Sequence, residues 1–313
     1  MATTTSTTET KKLQVTELDF DQIKLNLKMF LKNQSEFADY DFEGSGMSVL
    51  LDLLAYNTHY LGFNANMAAN ETFLDSAELR SSVVSLAKML GYTPSSCTTP
   101  KAIIDLSLTN ATGASVTMPA GTKFTTTLDS SEYTYVTNSD KTITPTDGVY
   151  KFSNLDIFEG TRVTFQYTID SSNEEQRYMI PNANVDIETL TVLVQNSISD
   201  VTSFAYTKAN SQIGVAATSK VYFTQETDDG KFEIYFGDGV TGFKPSDGNI
   251  IKLTYIVTNK SASNGANVFT LSGTVGGFSG PTVTISKSSG GTDAETIPSI
   301  KLNAPLQFSA QDR

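Results

Sequence analysis

The 313-residue sequence contains one cysteine and one histidine, and these two shortages exclude several kinds of site. A single thiol, Cys97, cannot form a disulfide within the chain. A single imidazole, His59, cannot build a histidine-based catalytic triad or a zinc site with several histidines within one copy. His59 also lies in the longest helical stretch, where a packed or interface role fits it better than catalysis.

Positive charge is also scarce. Lys and Arg number 22 against 34 Asp and Glu, so the net charge is -12. A nucleic-acid-binding surface needs a basic patch, and an acidic chain is repelled by DNA and by anionic lipid. We therefore expect no nucleic acid among the partners. The sequence does not open with a charged-then-apolar secretion signal, which predicts that the chain is made and used in the cytoplasm.

Helical periodicity is concentrated between residues 41 and 94, and its longest part covers residues 48 to 70. Apolar residues recur there on two stripes, at alternating steps of four and three. The first stripe comprises Leu50, Leu51, Leu54, Thr58, Leu61, Ala65 and Ala69, and the second, called the seam below, comprises Val49, Leu53, Tyr56, Tyr60, Phe63 and Met67. A surface helix needs only one apolar face, and the seam has coiled-coil spacing. We expect one stripe to contact its own chain and the other to contact another chain.

The seam supplies the candidate interface residues. They are Leu53, Tyr56, Tyr60, Phe63 and Met67. Aromatic residues buried at interfaces contribute much of the binding energy, typically about 2 kcal/mol or more at a hot spot. The alternative is that these side chains fill the core of their own chain, which is the usual place of large apolar residues.

The same helix is long enough to raise the possibility of a membrane span. Polar side chains interrupt it throughout, at Asp52, Asn57, His59, Asn64, Asn66 and Asn70. A spanning helix needs about 20 nearly uninterrupted apolar residues, because hydrocarbon cannot satisfy side-chain amides. We therefore expect no membrane insertion.

An earlier and shorter helix is predicted near the start of the chain. Residues 1 to 10 form a polar run with too little apolar surface to fold alone, so we expect residues 1 to 18 to be a flexible tail. The helix then begins with Asp19 as its N-cap and ends near Asn33. Its apolar face comprises Phe20, Ile23, Leu27, Phe30 and Leu31.

A third helix is predicted after the long one. Asp75 and Glu78 have the spacing of a capping box, while Gly91 and Pro94 supply a stop. The apolar face of this helix comprises Leu79, Val83, Leu86 and Leu90. A short connection, residues 71 to 74, joins it to the long helix in a hairpin or an elbow.

From Lys101 onward the hydrophobic period changes from 3.6 towards 2, which predicts strands. Similar alternations begin at Glu132, Arg162 and Leu190. Short strands, abundant Thr and Ser, and turns that contain Gly are typical of a mainly antiparallel sandwich or barrel-like domain, not of alternating βαβ units.

The predicted fold class is therefore α+β. An α-helical interaction block covers residues 19 to 94. A mainly antiparallel β body covers residues 95 to 313, and it can be divided into residues 95 to 220 and 221 to 313.

Asp-Gly pairs recur at nine-residue spacing in the last third of the chain, at Asp229, Asp238 and Asp247. Asp-Gly favours tight hairpin turns because both residues tolerate positive φ, so the pattern predicts a β-meander. Calcium sites do not fit, since an EF-hand loop needs alternating oxygen ligands and the nonapeptide calcium repeat needs paired glycines. The glycine-rich run at residues 237 to 242 lacks the Lys-Ser/Thr pair of a phosphate-binding P-loop. We expect no metal and no cofactor.

Four stretches resemble one protein family. The longest, residues 41 to 94, begins DFEGSGMSVLLDLLAYNTHY and ends SLAKMLGYTP. It is similar to the N-terminal signature of the T4-type baseplate wedge proteins of contractile-tailed phages, within the broader baseplate J-like family. The other three agree in order: MPAGTKF at residues 118 to 124, YFGDGVTGFKPSDGNIIKLTYIVTNKSASNGANVF at residues 235 to 269, and ETIPSIKLNAPLQFSAQDR at residues 295 to 313.

The resemblance implies a structural and mechanical role without catalysis. Wedge proteins of this family pack as two copies with another wedge subunit. Six wedges close round a central hub, and the assembly rearranges when the tail sheath contracts. The implied partners are a second copy of the chain and other wedge subunits in a six-fold baseplate. The implied location is the tail baseplate of the virion, after assembly in the host cytoplasm.

The last of the four stretches also shows a departure from the family. Family members continue with a further large region after the segment that resembles NAPLQFSAQDR, residues 303 to 313. This sequence stops at Arg313. We therefore expect a fragment or a shortened member that lacks the family's C-terminal region.

Two other classes of function stay open at the level of sequence. A phage tail enzyme that cuts surface glycans needs two carboxylates about 5 to 10 Å apart, and no stretch singles out such a pair. A receptor-binding β-domain has the same strand pattern, since fold does not decide function. The helical block favours attachment within an assembly, whereas an adhesive domain needs an exposed tip.

Overall fold

The computed structural model describes residues 19–34, 37, 40–42, 44–109, 112–173, 176–210 and 214–311. They form two compact units. The helical unit contains the described residues up to Tyr92 and those from Ile297 onward, and the β unit is Thr93–Thr296. The fold is α+β with mainly antiparallel sheets, as predicted. The expected flexible tail, residues 1 to 18, lies outside the described residues.

Four α-helices make up the described part of the helical unit. They are α1 (Phe20–Lys32), α2 (Gly46–Asn70), α3 (Arg80–Met89) and α4 (Ile297–Gln311). The start of α1 is the predicted one, because the Asp19 carboxylate accepts a hydrogen bond from the backbone N–H of Asp21 at 2.8 Å. Helix α1 packs against α2, and α3 packs against α4.

The start of α3 differs from the prediction. The predicted N-cap, Asp75, lies in a turn, and the helix begins at Arg80. The backbone N–H groups of Glu78 and Leu79 donate to the carboxylate of Glu71, at 2.9 and 3.2 Å. A carboxylate seven residues before Glu78 thus binds the backbone just ahead of the helix, whereas Leu79, the N-cap residue, makes no side-chain capping hydrogen bond.

Helix α4 was not predicted, since the sequence analysis assigned residues 95 to 313 to the β body. Pro305 lies inside it, and an interior proline removes a backbone donor, so the local pattern does not favour a helix. Tertiary packing compensates, because Ile300 and Ala304, one turn apart, are fully buried. The buried cluster that joins α3 and α4 comprises Ala77, Val83, Val84, Ala87, Ile300 and Ala304.

The strands of the β unit form two large sheets and one small one. They are β1 (Lys101–Leu108), β2 (Val116–Met118), β3 (Lys123–Leu128), β4 (Ser131–Val136), β5 (Lys141–Ile143), β6 (Tyr150–Glu159), β7 (Thr161–Thr168), β8 (Tyr178–Met179), β9 (Val185–Gln195), β10 (Ser203–Lys208), β11 (Val221–Glu226), β12 (Phe232–Phe236), β13 (Ile250–Val257), β14 (Thr270–Leu271) and β15 (Thr282–Ser289). The sheet orders are β14-β3-β4-β6-β1-β15, β7-β13-β9-β10-β11-β12-β8 and β2-β5. The pair β10–β11 is parallel, and the other described pairs are antiparallel.

The alternating stretches predicted as strands are found in β1, β4, β7 and β9. The predicted meander is only partly correct. Asp229 and Gly230 form the hairpin turn between β11 and β12, but β13 pairs with β7 and β9 instead of β12. Residues 237 to 249 therefore cross the sheet. The seven-stranded sheet also contains strands from both sides of residue 220, where the sequence analysis placed a division of the β body.

Each large sheet has a hydrophobic cluster of its own. The six-stranded sheet buries large side chains that include Ile104, Phe124, Tyr135, Phe152 and Ile157. The seven-stranded sheet buries a second cluster that includes Val192, Ile234, Ile251, Leu253 and Tyr255. The β unit therefore buries most of its large apolar side chains within its own sheets, without contact with another molecule.

The single cysteine, Cys97, is buried in the β unit and does not form a reactive site. Cys97 lies in the segment before β1, and its thiol donates to the carbonyl oxygen of Val185 at 3.4 Å. Burial, with a smaller contribution from the nearby Asp186 carboxylate, raises the pKa of Cys97 to about 11. The thiol is therefore protonated at neutral pH, and a protonated thiol is a poor nucleophile.

The chain passes from the six-stranded to the seven-stranded sheet at Glu159 and Gly160. Glu159 is fully buried, and its carboxylate accepts hydrogen bonds from the Thr258 hydroxyl at 2.7 Å, the Asn259 N–H at 2.9 Å and the Asn259 side-chain amide at 2.7 Å. Gly160 has φ +120°, and a Cβ there would lie 2.2 Å from the carbonyl oxygen of Val257. This junction therefore requires glycine beside a buried, fully hydrogen-bonded carboxylate.

We expect Glu159→Ala to lower the free energy of unfolding by about 3 kcal/mol, because the donors of Thr258 and Asn259 lose a charged acceptor. Denaturant unfolding, followed by a signal from the β unit, measures the change. Glu132→Ala on β4 removes an exposed carboxylate and serves as the control. Equal effects of the two substitutions would contradict the role of Glu159 at the junction.

Candidate assembly interface on the long helix

Helix α2 is the element that carries the sequence-predicted site. Its 25 residues give it a length of about 37 Å at 1.5 Å per residue. Only Leu51, Ala55 and Gly62 are buried, and they share one side of the helix. Helix α1 packs against α2, with an ion pair between Lys24 and Asp52. The rest of the helical circumference is partly or largely exposed.

The five candidate interface residues lie on the surface of the single chain. Leu53, Tyr56, Tyr60, Phe63 and Met67 are between 46 and 63 % exposed. At 100° per residue, they lie about 140° round the helix from the buried side. The structure therefore does not use them to fill the core of the described chain, which was the alternative considered from sequence.

The first stripe differs from the expectation. It was expected to serve the intrachain contact while the seam faced another chain, yet Leu51 is its only large residue that is buried. Leu50, Leu54 and Leu61 are each more than half exposed. The physical reason is that the small residues Ala55 and Gly62 allow close helix approach, and they place the intrachain contact to one side of the first stripe. Helix α2 thus has two exposed apolar faces.

Two observations distinguish α2 from an ordinary surface helix. The first is its charge: Asp52 is its only acidic residue, and it contains no Lys or Arg. A solvated helical face normally carries charged and polar side chains. The second is contiguity, since the exposed residues continue along the helix from Val49 to Met67. Contiguous exposed apolar surface marks a site of protein association.

The size of the seam decides how much of α2 a partner must cover. Fully burying a large apolar side chain stabilises by about 1.5–3 kcal/mol, and the five candidate interface residues of the seam are already about half covered, so each contributes about 1 kcal/mol. The five together contribute on the order of 5 kcal/mol, whereas association costs about 4–15 kcal/mol. The seam alone barely offsets that cost. A stable interface must also cover neighbouring surface, and the first stripe is the nearest apolar surface.

Helix α4 adds exposed apolar surface that the sequence analysis missed. Leu302, Leu306 and Phe308 are each at least half exposed, although Ile300 and Ala304 of the same helix are buried. A helical period of 3.6 places Leu302 and Leu306 on one face. The signal was present in the sequence, but Pro298 and Pro305 obscured the helix that carries it.

The aspartates considered for calcium are used in turns. The Asp238 carboxylate accepts hydrogen bonds from the N–H groups of Thr241 at 2.8 Å and Val240 at 2.9 Å, and these bonds lower the pKa of Asp238. Asp247 accepts from the N–H of Ser171 at 2.8 Å. Within the described ranges, no group of three or more His, Cys, Asp or Glu side chains is placed to hold a metal ion. These contacts favour the turn interpretation.

None of the helices in the described part of the chain is long and apolar enough to cross a membrane.

Two segments of the chain match known protein families. Residues 19–92 match the helical domain of baseplate wedge protein gp6-like, and residues 162–270 match the third domain of bacteriophage baseplate wedge protein gp6. Baseplate wedge protein gp6 of Enterobacteria phage T4 is 33 % identical over 275 residues, which cover 82 % of this chain and 40 % of that protein. The chain belongs to the gp6-like baseplate wedge protein family. The broader baseplate J-like assignment stays a prediction.

The gp6-like helical-domain match contains α1, α2 and α3, so the seam and the first stripe both lie inside it. The chain spans about 40 % of the length of the phage T4 relative. A chain in the cryo-EM structure of the anti-feeding prophage baseplate, six-fold symmetrised, aligns at 12 % identity with a TM-score of 0.30. That alignment covers 94 % of this chain and 52 % of the other.

At a concentration where the wild-type chain is monomeric, Tyr60→Asp and Phe63→Asp should leave the melting temperature of the gp6-like helical unit within about 2 °C of wild type, because both side chains are exposed in the single chain. Leu51→Asp on the same helix should lower it much further, since it places a carboxylate in a buried site without a partner. Thermal unfolding followed by far-UV circular dichroism compares the three. If the seam variants melt as early as Leu51→Asp, the seam is part of the core.

Proposed function

We propose that this chain is a structural component of the baseplate wedge in a contractile phage tail. The observation that carries the proposal is the exposed, nearly charge-free surface of α2 inside a gp6-like helical domain. Helix α2 joins wedge subunits through Leu53, Tyr56, Tyr60, Phe63 and Met67, and the β unit positions neighbouring subunits when the sheath contracts.

The proposed partners are a second copy of the chain and other wedge subunits, within a six-fold baseplate. The name of the phage T4 relative, a baseplate wedge protein, supports this assignment. The net charge of -12 argues against nucleic acid as a partner. The proposed location is the tail baseplate of the virion, with assembly in the host cytoplasm and without insertion into a membrane.

The proposed mechanism is mechanical and includes no catalytic step. Helical packing holds the wedge together, and the two clusters of the β unit make it a rigid body that transmits displacement between neighbours. The chain must stay folded while its contacts change. Separate buried cores in the β unit support this, because they do not depend on the surface of α2.

Seam variants should separate folding from assembly. Tyr60→Asp and Phe63→Asp are expected to abolish self-association and incorporation into wedges, because association would bury a carboxylate without a partner. Analytical ultracentrifugation of the chain, alone and co-expressed with wedge subunits, measures this. Ile198→Asp makes the same kind of change at an exposed site of the β unit and should assemble as wild type. Folded seam variants that still assemble would remove the seam from the proposed function.

The chain should also show no hydrolysis of host-surface polysaccharide. The measurement is reducing-end release compared with a heat-treated sample. Release that exceeds the heated sample and is lost after a single Asp or Glu substitution would overturn the structural assignment in favour of a glycan-degrading enzyme.

A further inference from the structure

The Glu71 side chain forms hydrogen bonds within the connection between α2 and α3, residues 71 to 79. Glu71 directly follows α2, and its carboxylate accepts hydrogen bonds from the N–H groups of Glu78 at 2.9 Å and Leu79 at 3.2 Å. Within the same connection, the Ser76 hydroxyl donates to the carbonyl oxygen of Asn70, the last residue of α2, at 2.6 Å. Residue 71, at the start of the connection, is therefore hydrogen-bonded to residues 78 and 79 at its end. Residue 76, in its middle, is hydrogen-bonded to the last residue of α2.

A second contact reaches the connection from α4. The Lys301 ammonium donates to the backbone carbonyl oxygen of Asp75 at 2.9 Å. Ala77, two residues further on, is fully buried in the cluster that joins α3 and α4. Two residues distant in sequence, Glu71 and Lys301, thus bind the backbone of the same short connection, at residues 78 and 79 and at residue 75.

We propose that Glu71 and Lys301 form a brace that fixes the direction of α2 relative to α3 and α4. Both are positioning residues, because they act on the backbone of residues 75 to 79 and not on a partner. The brace is intrachain, while its consequence rests on the proposed function: a fixed direction presents the seam and the first stripe to partners in one orientation.

The surroundings of Glu71 match this role. Desolvation raises the pKa of Glu71, but hydrogen bonds from the Glu78 N–H, the Ser82 hydroxyl and the Leu79 N–H, together with the nearby Lys301 charge, hold it below its ordinary value. The side chain is therefore ionised at neutral pH. An ionised carboxylate forms stronger hydrogen bonds with backbone N–H groups than a neutral acceptor does.

Hydrogen exchange of the full chain tests the contact itself. Glu71→Ala should speed exchange of the amides of residues 78 to 83 by about fivefold, the size expected for the net loss of one hydrogen bond. Glu71→Gln keeps one acceptor oxygen and should give a smaller increase. Asp75→Asn removes a carboxylate from the same connection while keeping the carbonyl that Lys301 binds, so it should match wild type. Unchanged exchange in Glu71→Ala would overturn the brace.

A distance measurement tests the direction of α2. In a Cys97→Ser background, spin labels at Asn64→Cys on α2 and Gln307→Cys on α4 report the spread of distances between the two helices. Glu71→Ala and Lys301→Ala should each broaden that spread, whereas Asp75→Asn should not. A spread that both variants leave unchanged would overturn the proposal. Both measurements are made on the chain alone, at a concentration where it is monomeric, so failure of the brace can be distinguished from failure of baseplate assembly.

Discussion

Removal of apolar surface from water is the constraint on which the helical unit depends. Helix α2 extends for 25 residues but buries only Leu51, Ala55 and Gly62 within the described chain. Burial of an amphipathic face, more than helix propensity, supplies most of the stability of helices in proteins. Two apolar faces of α2 remain exposed to solvent in the described chain. Their apolar surface is removed from water only when another molecule covers it. Under the proposed function that molecule belongs to a baseplate wedge, the assembly for which the gp6-like family is named.

The two units differ in how they meet this constraint. The β unit buries two separate clusters and satisfies its buried charge at the junction, where the Glu159 carboxylate accepts three hydrogen bonds. In the helical unit, half of the buried cluster that joins α3 and α4 consists of alanines, which are Ala77, Ala87 and Ala304. A binding partner stabilises only the folded state that it contacts, so partners add more to the helical unit than to the β unit. This difference suits the proposed assembly, in which the β unit is stable in the single chain and the exposed surface of α2 is buried when a partner binds.

Sequence predicted the parts of the fold that local chemistry decides. Asp19 caps α1 because its carboxylate has only to reach the backbone N–H of Asp21, two residues away. The alternation of apolar and polar residues alone identifies β1 and β9. Non-local contacts account for the rest. Glu71 binds the backbone just ahead of α3 from seven residues away, and β13 pairs with β7 and β9 instead of β12, the strand before it in sequence. The seam was predictable as a second apolar face, but the side of α2 that packs within the chain depended on Ala55 and Gly62, residues without a hydrophobic signal.

The polar residues between the two exposed faces of α2 give the proposed interface a means of specificity. Asn57 and Asn64, two helical turns apart, separate the seam from the first stripe, and both are exposed in the single chain. A purely apolar surface allows neighbouring helices to slide along one another, since each register buries a similar area. An amide enclosed between two contacts costs free energy unless it finds a hydrogen-bond partner, and the partner sits at one height along the helix. A wedge that covers both faces therefore gains its affinity from the leucine and aromatic side chains and its register from the asparagines.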